Sequence, residues 1–108
     1  MQRLSVALRL AGTVVPVLML ATSAHSSGGD RELGKHLSSE CVTCHQISGR
    51  VTAGIPAIIG LPEDQFIAMM NGYRDKLRDN QVMQTIAVKF KDDEISALAA
   101  YFGSLKKR

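Results

Sequence analysis

The chain has 108 residues and a mass of 11.7 kDa, which limits it to one small domain and excludes a multidomain enzyme with separate substrate and cofactor modules. Hydrophobic residues make up 45% of the sequence and charged residues 21%, so a folded chain is expected. The formal net charge is +3, but no cations cluster within the body of the sequence. We therefore expect no binding to nucleic acid, because phosphate recognition needs several clustered cations.

Residues 1–24 are typical of a signal peptide. Arg3 and Arg9 flank the start of an apolar stretch, Leu10–Leu20, which is too short to span a membrane, and small residues follow up to Ala24. Cleavage after Ala24 would leave residues 25–108 as the mature domain in the periplasm. The alternative is an uncleaved anchor, and only in that case do we expect contact with a membrane.

The first predicted element of the mature domain is a short helix over residues 32–40, with Asp30 as its N-cap. It leads directly to Cys41-Val42-Thr43-Cys44-His45, which contains the two cysteines of the chain. The spacing C-x-x-C-H is that of covalent c-type haem attachment, in which two thiols add to the haem vinyl groups and the histidine ligates the iron. A bound haem would also enlarge the apolar core of a domain this small.

Two other interpretations of the cysteine pair are weaker. A disulfide across two intervening residues is characteristic of thiol exchange in thioredoxin-like folds, but no strand and helix pattern of that kind surrounds it. A structural zinc site needs four ligands, and the remaining histidines, His25 and His36, are not suitably placed. We therefore expect haem attachment.

Beyond the motif, the sequence predicts a loop and two amphipathic helices. Glycine and small residues dominate residues 46–60. A helix then begins at Pro62, with an apolar stripe that includes Phe66 and Met70. The last helix begins with the acidic residues that follow Lys91 and buries a stripe that extends to Leu105. No segment alternates as a strand would, so an all-α fold is predicted.

The iron of a histidine-ligated haem needs a second axial ligand, and Met83 is the best candidate. It follows a polar loop and lies outside the strongest helical periodicity, far enough along the chain to reach the opposite face of the haem. Met69 and Met70 lie in an amphipathic helix, where methionine usually fills the core. His36 lies on the helix before the cysteines and should stay on the proximal side.

Four segments occur in the order Cys41–His45, Gly54–Leu61, Met83 and Glu94–Phe102. In this order they resemble the class I c-type cytochromes, above all the single-haem domains of cytochrome c4 type and the cytochrome subunits of flavocytochrome c sulfide dehydrogenases. A cytochrome c4 proper has two haem domains, whereas this sequence has one C-x-x-C-H. The resemblance implies that residues 25–108 form a small class I cytochrome c fold, with three to five helices around one covalently attached haem.

The resemblance also implies roles for individual residues. Cys41 and Cys44 would carry the haem, and His45 and Met83 would ligate its iron. Pro56 would offer its backbone carbonyl to the outer ring nitrogen of His45, which would fix the orientation of the ring.

Two further positions take their expected roles from the family. Gly34 would let the first helix cross closely over Tyr101 of the last helix. Arg74 follows a tyrosine, as in the sulfide dehydrogenase cytochromes, and would hold a haem propionate through charge-assisted hydrogen bonds. The alternative for Arg74 is a solvated surface side chain.

The expected function is one-electron transfer without catalysis, because an iron with both axial positions filled has no site for substrate or oxygen. We expect the electron-accepting subunit of a flavoprotein dehydrogenase that oxidises sulfide or a related sulfur compound, with a separate downstream electron acceptor. The alternatives are a freely diffusing shuttle to an oxidase or reductase, and a haem-based gas sensor in which Met83 dissociates. Residues 25–108 contain 11 Lys and Arg against 10 Asp and Glu, which predicts no strong steering field.

Overall fold

The structure is a computed structural model that describes residues 10–17, 19 and 28–107. Five helices follow one another along the chain: α1 Arg31–Leu37, α2 Ser39–Val42, α3 Glu63–Arg74, α4 Gln81–Ala87 and α5 Asp92–Gly103. Within these described ranges no strand is formed, and the only β-type pairing is an isolated bridge between Thr52 and Ile55. The expected all-α architecture of three to five helices is confirmed.

The predicted signal peptide lies for the most part outside the described residues. Residues 10–17 are exposed and belong to no helix or strand. Among the helices of the described segments, none combines the length and the apolar content that a membrane crossing requires.

The helix predicted over residues 32–40 is interrupted. Asp30 begins α1 as expected, because its carboxylate accepts the backbone N–H groups of Glu32 and Leu33 at 3.0 and 3.1 Å. At Ser38 the hydroxyl donates to the Lys35 carbonyl at 2.7 Å. This hydroxyl competes with backbone N–H groups for a carbonyl of the preceding turn and so interrupts the regular helical hydrogen bonds. The next helix, α2, begins after this break.

The core lies mainly between α3 and α5. Ile95, Leu98 and Phe102 of α5 are completely buried. Phe66 of α3 stacks on Phe102 with ring centroids 5.8 Å apart, and Met70 lies in the same cluster. These apolar positions are those that the helical periodicity predicts.

The first and last helices cross at Gly34, as the sequence predicts. A Cβ atom at Gly34 would overlap the carbonyl of Ala97 and come within 2.8 Å of the Tyr101 Cβ. Only glycine therefore allows the backbones of α1 and α5 to approach this closely. The contact fixes the start of the domain, and hence the segment that follows α1, against the last helix.

The sequence does not predict the short helix α4 and indicates instead an irregular stretch from Arg74 to Gln81 that leads into Val82 and Met83. Asn80 caps it, because its side-chain oxygen accepts the backbone N–H of Met83 at 3.0 Å. Upstream, the N–H groups of Leu77 and Arg78 both donate to the Gly72 carbonyl, at 2.8 and 3.0 Å. These bonds close the turn between α3 and α4 and place Met83 in a first helical turn.

Candidate functional site

The two cysteines and the histidine of the C-x-x-C-H segment lie on one side of a helical turn. The N–H groups of Cys44 and His45 both donate to the Cys41 carbonyl, at 3.2 and 2.9 Å. Residues three and four positions apart in a helical turn project in similar directions, so the three side chains face the same region. This arrangement is the one that attachment to a single planar group requires.

The His45 ring is held by the backbone of Pro56. Nδ1 lies 2.7 Å from the Pro56 carbonyl oxygen, and His45 is buried. A carbonyl oxygen only accepts, so Nδ1 carries the hydrogen and donates it. The lone pair of the neutral ring is then on Nε2, where it is available to a metal. The contact implied by the family resemblance is therefore present.

The two thiols lie in different surroundings. Cys41 is buried and Cys44 is exposed, and neither forms a disulfide. Burial, with a smaller contribution from the neighbouring Glu40 carboxylate, raises the pKa of Cys41 from 9.0 to about 11.

Met83 is half-buried and packs against the core cluster from the first turn of α4. Met70 belongs to the buried core itself, and His36 is exposed on α1. Met69 is half-buried on α3. The assignment of Met83 as an axial ligand stays a prediction, and the position of Met70 agrees with the expected role as core filler.

Arg74 does not stand free in solvent. Its guanidinium lies 2.7 Å from the Asp92 carboxylate and donates to the Phe90 carbonyl at 3.4 Å. The Arg74 side chain thus joins the end of α3 to the start of α5. The sequence does not predict this structural role. Contact between Arg74 and a haem propionate stays a prediction.

Two contacts that support the site are not predicted by the sequence. Lys89, just after α4, lies 3.1 Å from the carboxylate of Glu40, the residue before Cys41. The pair therefore links the segment with the cysteines to the segment with Met83. The Asn80 cap is the other, and the preference of asparagine for N-cap positions could have revealed it. The ion pair joins residues distant in sequence, and no local pattern indicates it.

The donor set fits a covalently attached haem. Two free thiols stand at the required spacing beside an imidazole whose outer nitrogen is held and whose Nε2 is available. In the part of the chain that the structure describes, no group of three or more His, Cys, Asp or Glu side chains is arranged to hold a metal ion.

The comparisons with known proteins agree with the resemblance that the sequence motifs indicate. The cytochrome c family profile matches residues 32–106. The chain is 31% identical over 75 residues to the cytochrome subunit of sulfide dehydrogenase from Chlorobaculum tepidum, a match that covers 69% of this chain and 68% of that protein.

Two further similarities cover smaller parts of longer proteins. The thiosulfate dehydrogenase electron acceptor of Thiomonas intermedia (strain K12) is 32% identical over 71 residues, covering 64% of this chain and 33% of that protein. The chain thus spans about a third of this relative's length. The crystal structure of reduced recombinant cytochrome c4 from Pseudomonas stutzeri matches with a TM-score of 0.66 at 23% identity, covering 75% of this chain and 53% of that one. This last likeness establishes the fold.

Proposed function

The chain belongs to the cytochrome c family, and on that premise we propose that it is a periplasmic single-haem carrier that accepts electrons, one at a time, from a dehydrogenase for a reduced sulfur compound. It is an electron-transfer protein and not a catalytic subunit. When bound, the haem supplies one-electron exchange between ferric and ferrous iron. The observation that carries the proposal is the bond from His45 Nδ1 to the Pro56 carbonyl.

The chain's own residues bind and orient the haem. Cys41 and Cys44 hold it covalently, and Pro56 fixes the tautomer and the ring orientation of His45. His45 and Met83 would be the two protein ligands of the iron, and a carrier with both in place would offer no site to a substrate. The half-buried position of Met83 against the core supports this assignment, since a ligand to a buried iron must face the interior.

The class of electron donor is supported by two relatives. One is named as the cytochrome subunit of a sulfide dehydrogenase and the other as the electron acceptor of a thiosulfate dehydrogenase. Both names refer to a protein that serves a dehydrogenase for a reduced sulfur compound. We place the donor of this chain in that class. A flavoprotein subunit is the first candidate, because the sequence resembles the cytochrome subunits of flavocytochrome c sulfide dehydrogenases.

The periplasmic location rests on the signal-peptide features of residues 1–24. N-terminal sequencing of the protein from a periplasmic extract is expected to begin at His25. A chain that begins at Met1 and sediments with membranes would contradict cleavage and favour an anchor.

Gel filtration of a native periplasmic extract, with haem absorbance and flavin fluorescence recorded together, tests the proposed partner. We expect haem to elute with a larger dehydrogenase, and either sulfide or thiosulfate to reduce the haem in that fraction. A haem peak at the size of the monomer that neither compound reduces, even after the extract is added back, contradicts the donor class. A peak without haem contradicts the whole proposal.

A further inference from the structure

The ten residues between His45 and Pro56 form a loop whose two ends meet at the proximal histidine. His45 Nδ1 donates to the Pro56 carbonyl at 2.7 Å, and His45 is buried whereas Pro56 is exposed. The carbonyl that orients the ring therefore belongs to backbone at the molecular surface. Of the described helices, α2 ends at Val42 and α3 begins at Glu63, so no helix fixes this backbone. Its position must depend on contacts within the loop.

A tight turn leads directly into Pro56. The Ile55 N–H donates to the Thr52 carbonyl at 2.9 Å, and the two residues between them, Ala53 and Gly54, have φ values of +51° and +77°. Two successive positive φ values are characteristic of a type I′ turn. Alanine seldom adopts such a φ, and it persists there only when neighbouring contacts hold the backbone. Because Pro56 follows the turn directly, the placement of Thr52 determines where the Pro56 carbonyl lies.

The side chain of Gln46 supplies a contact that holds the turn. Gln46 follows His45 directly and is half-buried, and its Nε2 donates to Thr52 Oγ1 at 2.9 Å. Its own backbone is held as well, because the Gln46 carbonyl accepts the Gly49 N–H at 3.0 Å. The bond to Thr52 divides the loop into two shorter closed segments, which have fewer conformations than one long segment. A side chain adjacent to the iron ligand is thus connected to the turn that carries the Pro56 carbonyl.

We propose that Gln46 is a positioning residue that acts through Thr52 to hold the Pro56 carbonyl in line with His45 Nδ1, and that it thereby sets the reduction potential. The proposal rests on the proposed electron-transfer function and adds one residue that adjusts it. Donation of the Nδ1 hydrogen to a carbonyl makes Nε2 a more basic ligand. A more basic ligand favours the ferric state, because ferric iron carries the greater charge. Loss of the contact between Gln46 and Thr52 should therefore favour reduction.

The test uses variants of the haem-loaded protein that remove the contact from either side. Gln46→Met keeps the length of the side chain without the amide, and Thr52→Val keeps the branched shape without the hydroxyl. Thr52→Ser restores the hydroxyl and serves as the rescue variant. The control is Ser96→Ala, which removes a hydroxyl that donates to the Asp92 carbonyl at the same distance of 2.9 Å. Ser96 lies on α5, which carries neither expected ligand of the iron.

The first measurement is the hydrogen-exchange rate of the His45 Nδ1 proton in the reduced protein, followed by nuclear magnetic resonance. We expect Gln46→Met and Thr52→Val each to accelerate exchange by about two- to tenfold, the range that corresponds to the loss of one hydrogen bond. Thr52→Ser and Ser96→Ala should exchange at the rate of the unmodified protein. The double variant Gln46→Met with Thr52→Val should exchange no faster than the faster single variant, because both changes remove the same bond.

The second measurement is the reduction potential, determined by spectroelectrochemistry with fixed mediators. The equilibrium constant for reduction should rise by about twofold or more in Gln46→Met and in Thr52→Val, and it should return to the original value in Thr52→Ser. A role limited to stability would lower the urea concentration needed for unfolding without moving this equilibrium. Unchanged exchange and unchanged potential in both variants would overturn the proposal, and so would independent effects that multiply in the double variant.

A further comparison separates this inference from the proposed function. Each variant should retain the covalently bound haem, the helical circular dichroism signal and reversible reduction. Absence of covalent haem or of reversible reduction in the unmodified protein would contradict the electron-transfer function itself. Intact redox behaviour of the unmodified protein, with equal exchange rates and potentials in all variants, would contradict only the positioning role of Gln46.

Discussion

Cys41 and Cys44 are separated by two residues but differ in burial. The nucleophilic form of cysteine is the thiolate, and burial of Cys41 holds its pKa near 11, so its thiolate is scarce at neutral pH. Cys44 is exposed and reachable by reagents. The folded chain without haem therefore presents one accessible thiol and one protected thiol.

Single-thiol variants make this difference measurable. Cys44→Ser leaves Cys41, and Cys41→Ser leaves Cys44. At pH 8 a rise in pKa from 9.0 to about 11 lowers the thiolate fraction by about a hundredfold. We expect iodoacetamide to modify the remaining Cys41 at least about tenfold more slowly than the remaining Cys44, by mass spectrometry, and the Cys41 rate to keep rising toward pH 11. In urea the two thiols should react at similar rates. Equal rates in the folded chain would contradict the expected protection of Cys41.

The same burial affects stability of the haem-free chain at alkaline pH. The folded state retains the Cys41 proton to about pH 11, whereas the unfolded state releases it near pH 9.0. The unfolded state then binds fewer protons, so the free energy of unfolding falls as pH rises through this interval. Unfolding by urea at pH 8 and pH 10.5 should show the loss, and the loss should be smaller in Cys41→Ser.

Met83 is predicted to control the state of the iron. Met83→Leu should remove the sulfur-to-iron charge-transfer band of the ferric protein and lower the reduction potential by on the order of 0.1 V. It should also let carbon monoxide bind the reduced protein at neutral pH. Met69→Leu is the matched control and should change none of these properties. If the unmodified protein itself binds carbon monoxide readily, a gas-sensing role gains support instead.

At the scale of secondary-structure elements, the approach of α1 to α5 depends on a missing side chain. Gly34→Ala places a Cβ atom onto the Ala97 carbonyl, so the helices must separate. We expect a loss of about 2 to 3 kcal/mol in the free energy of unfolding of the haem-loaded protein, measured in urea. Lys35→Ala, an exposed change on the same helix, should alter it by less than about 0.5 kcal/mol. If Gly34→Ala left the free energy of unfolding unchanged, α1 and α5 would not cross closely at this position.

The cap of α4 is predicted to hold Met83 in place. Asn80→Ala removes the acceptor for the Met83 N–H and should cost about 1 kcal/mol of stability. Because the lost bond lies at the ligand itself, the charge-transfer band should disappear at a lower temperature than the helical circular dichroism signal. Asp79→Ala, in the same exposed turn, is the control and should leave both transitions together.

The sequence predicts some elements much better than others. The helices α3 and α5 have long apolar stripes that match the helical period, and both are found where expected. The short α4 has no comparable stripe, and Val82 within it is exposed, so periodicity gives no indication of it. The break at Ser38 depends on a local hydroxyl bond that competes with the ladder, and the pattern of apolar residues cannot show it.

At the scale of the whole molecule, the candidate site is partly predictable. The motif and the resemblance together predict that His45 meets Pro56, and the structure contains that bond. The ion pair of Arg74 with Asp92 and the packing of Lys107 on Gly49 are not predictable in this way. They join residues far apart in sequence, and no local pattern indicates them.

The ion pair between Glu40 and Lys89 connects the segment that carries the cysteines with the segment that carries Met83. It should nevertheless contribute little to the free energy of unfolding. About half of each side chain is exposed, and exposed pairs typically contribute less than 1 kcal/mol. A double-mutant cycle with Glu40→Gln and Lys89→Gln in the haem-loaded protein should give a coupling energy below about 1 kcal/mol that vanishes in about 1 M salt. A coupling energy of about 2 kcal/mol or more would show that the ion pair contributes substantially to the stability of the fold.

The close crossing of α1 and α5 also affects the order in which the chain folds. Local helices such as α3 can form early, but α1 finds its main partner only in the last helix, beyond the long segment between Leu37 and Asp92. Closing a loop of that length costs chain entropy before the contact at Gly34 stabilises anything. We therefore expect the N-terminal part of the domain, including the haem-binding segment, to stay open and accessible until α5 has been synthesised and has docked.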